Sequence, residues 1–298
     1  MRLDGSVRLM TEPRDAAEAL FGGHLAALPT ETVYGLGARA DMASAIARVY
    51  AVKGRPADHP LIVHVAGIEA LDAWGQGVPA YARELAEVTW PGPLTLVVSR
   101  TSAARDFITG GQDSVAVRVS AHPLMAAVLN HLIELTGDRN IGIAAPSANR
   151  FGRVSPTSAG HVVEELGSLM TDDDVVLDGG ECAVGLESTI IDCTGDAPKL
   201  LRPGAITAAD VTRITGLACP SGSTVRASGT LASHYSPAAF VRLLHADQLT
   251  AHAKAQSADG MPSSGLLAIA GVPTPPGIVR LAAPTTTDDY ARILYAAL

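Results

Sequence analysis

Three short stretches carry the residue types that could do chemistry. Pro29-Thr-Glu-Thr-Val-Tyr-Gly-Leu-Gly37 sets hydroxyls beside glycines, Lys53-Gly-Arg-Pro56 puts two cations on a tight turn, and Ala145-Pro-Ser-Ala-Asn149 adds neutral donors. Hydroxyls supply short donors, glycines permit close backbone approach, and a Lys/Arg pair neutralises the charge of a polyphosphate. Read together, they describe a site for a phosphorylated ligand and an amino acid.

Several single residues have two readings. Thr30, Thr32 and Tyr34 alternate, so an extended backbone would place them on one face, lining a pocket or forming a solvated strand edge. Lys53-Gly54 could be ordinary C-terminal capping of a helix. The rigid turn Pro56-Ala-Asp-His-Pro60 leads into the apolar run Leu61 to Val65 and would fix Arg55 and His59 near a strand end. His64 lies inside that run, as a core histidine would. His59 and His64 are five apart with no third ligand at zinc-like spacing, so no protein metal site is expected. Arg118 interrupts Val115-Ala-Val-Arg-Val119. A buried guanidinium needs an anion, either an internal carboxylate or a substrate carboxylate, and the substrate is the preferred partner. Ser147, Asn149 and Ser155 offer donors for phosphate or ribose oxygens at a strand end, although turn and cap chemistry uses the same types. Ser188 at a strand start and Arg202 at a strand end repeat the theme.

Other chemistries are disfavoured. Gly35-Leu-Gly37-Ala-Arg-Ala40 fits a dinucleotide fingerprint, but Pro29 ends the preceding apolar run too early and polar Thr30, Glu31 and Thr32 intervene. The chain has no Walker loop, no Gly-x-Ser-x-Gly elbow, no His-Glu-x-x-His and no protein-kinase set. With no obvious covalent nucleophile, catalysis would rest on alignment and charge neutralisation.

The elements that must position these residues alternate between short β-branched runs and helical periodicity, which indicates an α/β fold. Strands are predicted at 24–28, 60–65, 93–98, 114–119, 140–145, 174–178 and 188–193. Helices are predicted at 42–52 behind Asp41 as cap, at 79–88, at 122–135, and at 158–166 behind Thr157. A Gly/Ser/Thr/Pro-rich stretch then reads as a linker. The expected organisation is a catalytic domain over 1–217, a linker or lid over 218–237, and a small α/β domain over 238–298. In the last, Phe240 to Leu244 and Gly265 to Ile269 read as buried strands, and Asp289 to Leu298 as helix.

The 298 residues carry a formal net charge of −8, with a pI near 5.5. That sign is wrong for a surface that grips a polyanion. Cys182, Cys193 and Cys219 are odd in number and widely spaced, which favours a reducing compartment. Without a signal-like N-terminus or a long apolar run, the expected location is the cytoplasm, with no membrane partner.

Taken in order, these motifs resemble the YrdC-like threonylcarbamoyl-AMP synthases, in the long form with an appended C-terminal domain. The resemblance also rests on Pro60-Leu-Ile-Val-His64, Trp90-Pro-Gly-Pro-Leu-Thr95, Ser155-Pro-Thr157, Gly185-Leu-Glu-Ser-Thr189, Leu201-Arg-Pro-Gly204 and Ser233-His-Tyr235. It implies a twisted mixed-sheet domain with a cationic cleft and a smaller Rossmann-like C-terminal domain. The implied reaction makes L-threonylcarbamoyladenylate from L-threonine, bicarbonate or CO2, and ATP, with Mg2+ assisting and pyrophosphate released. The product would feed a tRNA threonylcarbamoyltransferase machinery, and direct tRNA contact is not required. By the resemblance, Lys53, Arg55, His59, Ser114, Ser147, Asn149, Ser155, Arg202, His234 and Tyr235 belong to the ATP site, with Lys53 and Arg55 catalytic. Thr32, His64, Arg118, Ala145 and Ser188 would hold threonine. The rival readings are a different carbamoyl-adenylate-forming enzyme and a double-stranded RNA- or tRNA-binding module. Ser228, Thr230, His59 and Ser120 depart from the residues usual in such proteins.

Overall fold

The computed structural model describes residues 7–229, 236–237, 239–258 and 264–298. Strands β1 (Arg8–Met10), β2 (Ala26–Leu28), β3 (Gly35–Arg39), β4 (Ile62–His64) and β5 (Leu94–Ser99) are followed by β6 (Ser114–Arg118) and β7 (Ile143–Ala144). Next come β8 (Val175–Leu177), β9 (Thr189–Asp192) and β10 (Lys199–Arg202). Together they form one ten-stranded sheet in the order β1-β8-β2-β3-β7-β4-β6-β5-β9-β10. The sheet is mixed: β4 runs parallel to β6 and β5 to β9, whereas β6 is antiparallel to β5 and β7 to β4.

The intervening helices are α1 (Pro13–Phe21), α2 (Ala43–Lys53), α3 (Leu71–Trp74), α4 (Ala80–Thr89), α5 (Asp106–Thr109), α6 (Pro123–Thr136), α7 (Ala159–Leu166) and α8 (Ala208–Thr215). Helices α1 and α6 pack together over one core containing Leu20, Leu28, Met125, Leu129 and Ile143. A second core contains Leu36, Ile46, Val63, Leu85, Leu96 and Val117. Strands covered on both faces read as unbroken apolar runs, which is why Leu94 to Val98 was legible as a strand.

Two caps differ from expectation. Met42 is the N-cap residue of α2, because the Asp41 carboxylate is taken by Arg39 through Nε at 3.0 Å and Nη2 at 2.6 Å. On α7 the cap is Ser158, which accepts from the His161 N–H at 3.3 Å, rather than Thr157. Strand β3 escaped the pattern because two of its five residues are glycine. Gly37 is required by close packing: a Cβ there would lie 2.8 Å from Ile143 Cγ2 and 3.1 Å from the Ala26 carbonyl.

Part of the presumed linker is packed down. Leu200 N–H bonds the Pro220 carbonyl at 2.9 Å, and Arg226 N–H bonds Gln112 Oε1 at 2.8 Å. Ala227 is buried with Ile62, Val97, Ala116 and Ile190. Thr230 and Ser233-His234-Tyr235 lie outside the described residues.

Beyond the linker come α9 (Leu249–Ala258), β11 (Gly265–Leu267), β12 (Val279–Ala282) and α10 (Thr287–Leu294). β11 and β12 pair in parallel as a separate two-stranded sheet. The expected buried strand Phe240 to Leu244 is not formed: Phe240 is 87% and Leu243 96% exposed. Its apolar run finds no partner strand in that sheet, and Phe240 instead carries the Arg242 guanidinium over its ring at 5.8 Å. Helix α10 meets the segment before β9 at Gly185, and Arg292 Nη1 stands 3.8 Å from Glu181 Oε2. Among the described residues, no helix is long and apolar enough to cross a membrane.

Candidate active site

His64 and Arg118 are the last residues of the adjacent parallel strands β4 and β6, and they pair in register. Both are buried at the carboxyl ends of strands, where α/β sheets place ligands. The Arg118 guanidinium is held on three sides. Nη2 donates to Glu31 Oε1 at 2.7 Å, Nη1 to Thr32 Oγ1 at 2.9 Å, and Nε to the Gly92 carbonyl at 3.3 Å. The sequence reading preferred a substrate carboxylate over an internal one. The internal carboxylate is present, because Glu31 folds back from a bend and not from a strand.

That bend also corrects the shared-face expectation. Residues 31–33 are bent, and Thr30 Oγ1 is 2.9 Å from Thr32 Oγ1 while donating to the Val33 carbonyl at 2.6 Å. Tyr34 turns elsewhere, its hydroxyl bonding the Gly180 carbonyl at 2.8 Å. His64 Nδ1 is buried without a hydrogen-bond partner. Burial, and then the Arg118 charge, push its pKa down to about 3, so the imidazole is neutral.

Lys53 ends α2, but Gly54 supplies the left-handed cap. The ammonium is therefore not a capping group. It turns inward and bonds the carbonyls of Ser147 and Asn149 in the loop after β7. Desolvation, then the like charge of Arg55, lower its pKa from 10.5 to about 7. Within the same loop, Ala145 N–H bonds the Ile62 carbonyl at 2.9 Å, and Asn149 Oδ1 is buried without a partner. Arg55 donates to the Pro60 carbonyl at 2.9 Å and to Ser228 Oγ at 3.4 Å, and it lies 5.7 Å above the Phe151 ring. His59 meets the same ring edge-on at 5.3 Å. Ser114 lines a cavity of about 10 Å³ between Pro60, Ala116 and the packed linker residues Arg226 to Ser228.

A second arginine–glutamate pair lies at the start of β9 and the end of β10. Ser155 Oγ donates to Glu187 Oε1 at 2.5 Å, and Arg202 Nη2 is 3.7 Å from Glu187 Oε2. Arg202 also binds Ser188, through Nε to its carbonyl at 3.0 Å and Nη2 to its hydroxyl at 2.9 Å. Ser188 Oγ is 2.7 Å from Thr95 Oγ1. Burial, first of all, raises the Cys182 thiol to about 12.

Thr32, His64 and Arg118 therefore converge, as do Lys53, Ser147 and Asn149. Ser188 bonds Arg202 and lies against Thr95, next to Glu187, the partner of Ser155. Sequence reasoning missed Glu31 and Glu187, each a single acid inside a hydroxyl- and glycine-containing motif. The signal available was the presence of two lone acids beside two arginines that needed counter-charges.

No cluster of three or more His, Cys, Asp or Glu suited to a metal occurs among the described residues. Glu31 and Glu187 are already committed to arginine and serine. The residues present therefore do not build a magnesium cage of their own.

A ten-stranded mixed sheet with buried, charge-paired residues at its strand ends defines an α/β protein with an anion-ready interior site. A family model described as "Telomere recombination" matches residues 18–204, and one described as "Threonylcarbamoyl-AMP synthase, C-terminal domain" matches residues 204–298. The chain belongs to the Sua5/YciO/YrdC family, in the long form that carries the C-terminal domain. It is 43% identical over 235 residues to a threonylcarbamoyl-AMP synthase of Pyrococcus abyssi, covering 76% of this chain and 66% of that protein. A Bacillus subtilis threonylcarbamoyl-AMP synthase is 41% identical over 202 residues, covering 67% of this chain and 56% of that protein. The chain thus spans between half and two thirds of the length of these relatives. The crystal structure of P. abyssi Sua5 complexed with L-threonine superposes with a TM-score of 0.84 at 36% identity, covering 98% of this chain and 87% of that one.

Proposed function

We propose that this chain makes L-threonylcarbamoyladenylate from L-threonine, bicarbonate or CO2, and ATP, releasing pyrophosphate. The observation that carries the reading is the Arg118 guanidinium. Of its five N–H donors, three are committed, which leaves one on each terminal nitrogen for a carboxylate. The unpartnered His64 Nδ1 beside it fits a substrate hydroxyl. The relatives' names and the threonine complex of P. abyssi Sua5 support the same substrate.

In this reading Thr32, His64, Arg118, the Ala145 backbone and Ser188 hold threonine. ATP lies along Lys53, Arg55, Ser114, Ser147, Asn149, Ser155 and Arg202, with His59 at its margin; His234 and Tyr235, outside the described residues, join this list on the resemblance alone. The threonine ammonium loses a proton to solvent, the free amine attacks CO2 and gives up a second proton as the carbamate forms, and a carbamate oxygen attacks the α-phosphorus as the bond to the α,β-bridging oxygen breaks and pyrophosphate leaves. Lys53 and Arg55 balance the charge that develops on the phosphates, and the buried setting strengthens each such interaction. A carbamate decays in water, so exclusion of water is part of the chemistry. The product would leave for a tRNA threonylcarbamoyltransferase, in the cytoplasm.

The test is a product assay with folded protein and magnesium, each substrate omitted in turn. The expected result is a threonylcarbamoyl-AMP adduct by mass spectrometry, with pyrophosphate release that needs all three substrates. An adduct formed equally well without threonine would identify a different carbamoyl-adenylate enzyme. Steeply salt-dependent tRNA binding without threonine-dependent pyrophosphate release would instead identify a nucleic-acid-binding module.

A further inference from the structure

Both oxygens of the Glu31 carboxylate are bonded by its surroundings. Oε1 accepts from Arg118 Nη2 at 2.7 Å, and Oε2 accepts from Ser120 Oγ at 2.5 Å and from the Ala121 N–H at 3.1 Å. Arg118, Ser120 and Ala121 belong to one short segment leaving β6, so the glutamate closes a ring on the strand end that carries the arginine. The side chains of the pair are only 4% and 10% exposed.

We infer that Glu31 is the positioning residue for Arg118, fixing the plane of the guanidinium so that its two uncommitted N–H groups face the amino-acid carboxylate. The inference rests on the threonine reading above. A buried guanidinium without a counter-charge would draw in water or swing toward another acceptor, because leaving one charge of a buried pair alone is costly. With Glu31 in place the charge of Arg118 is balanced, and the arginine is held in one orientation. Preorganisation of this kind lowers the ordering cost of binding and is read as affinity for the group that the arginine meets.

Two alternatives are disfavoured on the same geometry. As a direct substrate ligand, Glu31 would have to turn out of the ring that it closes with Arg118, Ser120 and Ala121. As a base for the threonine ammonium it would need a raised pKa. Burial works in that direction, but the Arg118 charge and the bonds from Ser120 and Arg118 hold the carboxyl below its ordinary value.

The experiment compares wild type, Glu31→Gln, Glu31→Asp and Ser120→Ala as full chains, measuring steady-state pyrophosphate release and L-threonine binding by calorimetry. Glu31→Gln is expected to raise KM for threonine by about tenfold or more while KM for ATP stays within about twofold. Glu31→Asp should recover part of the loss because it restores the charge. Ser120→Ala, which keeps the ion pair and removes one bond to it, should raise the threonine KM by roughly two- to fivefold and serves where Glu31→Gln fails to fold. A threonine KM unchanged in the folded variants, or a parallel rise for both substrates, would overturn the positioning role while leaving the function intact. Wild-type protein that neither binds threonine nor releases pyrophosphate with it would overturn both.

Discussion

The Ser155 hydroxyl donates to Glu187 Oε1 at 2.5 Å, while the other oxygen of that carboxylate stands 3.7 Å from Arg202. Glu187 thereby joins two elements far apart in sequence, the loop after β7 and the end of β10. The same carboxylate raises the affinity of Lys53 for its proton. Glu187→Ala removes the counter-charge of a buried arginine, and the expected loss of stability is about 3–5 kcal/mol. Thermal unfolding checks it, because a change of that size lowers Tm by many degrees, while a Tm shift under about 2 °C would show that Arg202 is solvated well enough without the acid.

Lys53 gives a pH signature. Its folded pKa is about 7 against an ordinary 10.5, so between those values the unfolded chain holds a proton that the folded chain lacks. Stability from this group therefore rises with pH across that window. A neutral amine has two N–H groups, which matches the two carbonyls it bonds. A triphosphate close to Lys53 favours the charged form, so ATP binding near pH 8 should take up a proton. Calorimetry in buffers of different ionisation enthalpy measures this uptake, and Lys53→Met should abolish it. Binding without proton uptake in wild type would remove Lys53 from the phosphate site.

Much of the fold was legible because buried strands write themselves as apolar runs. Ser114 to Arg118 and Thr189 to Asp192 fall within the expected segments, and Leu94 to Ser99 runs one residue past the expected 93–98. β3 was not legible, since its glycines answer to the close approach of Ile143 and Ala26 rather than to strand propensity. The strand expected at Phe240 to Leu244 failed for the opposite reason: an apolar run becomes a strand only when a neighbour is available. At the site, the cations were identified from their motifs. Their partners were not, because Glu31 to Arg118 and Glu187 to Ser155 are contacts between distant segments that no local spacing encodes.

His64 should remain neutral throughout the physiological range. Its pKa is pushed down to about 3, chiefly by burial, so between pH 3 and 6.5 the unfolded chain binds a proton that the native chain does not. Stability is present above pH 6.5 and is lost as the pH falls through this interval, by up to about 1.4 kcal/mol per unit. His64→Gln should flatten this acid limb. Imidazole resonances followed by NMR should show His64 without titration from pH 5 to 8. A midpoint near 6 would mean that the strand end is open to water and would take away the neutral hydrogen-bonding role.

Gly185 tests how the C-terminal unit bears on the site. Its φ is +72°, and an added Cβ would fall 2.1 Å from the Arg292 carbonyl oxygen and 2.6 Å from the Arg292 Cα. Both obstacles are backbone atoms of α10, which cannot rotate aside, and the backbone conformation itself disfavours a side chain. Gly185→Ala should therefore separate α10 from the Gly185-Leu-Glu-Ser-Thr189 segment and weaken the Arg292–Glu181 pair, leaving the ten-stranded sheet intact. Hydrogen exchange should quicken across Thr287–Leu294 by about tenfold or more, with the amides of β5 and β6 unchanged. Because Glu187 lies two residues beyond the contact, the same variant should also weaken ATP binding. Unchanged exchange in α10 would show that the helix does not rest on Gly185, and unchanged ATP affinity would show that its docking is not transmitted to Glu187.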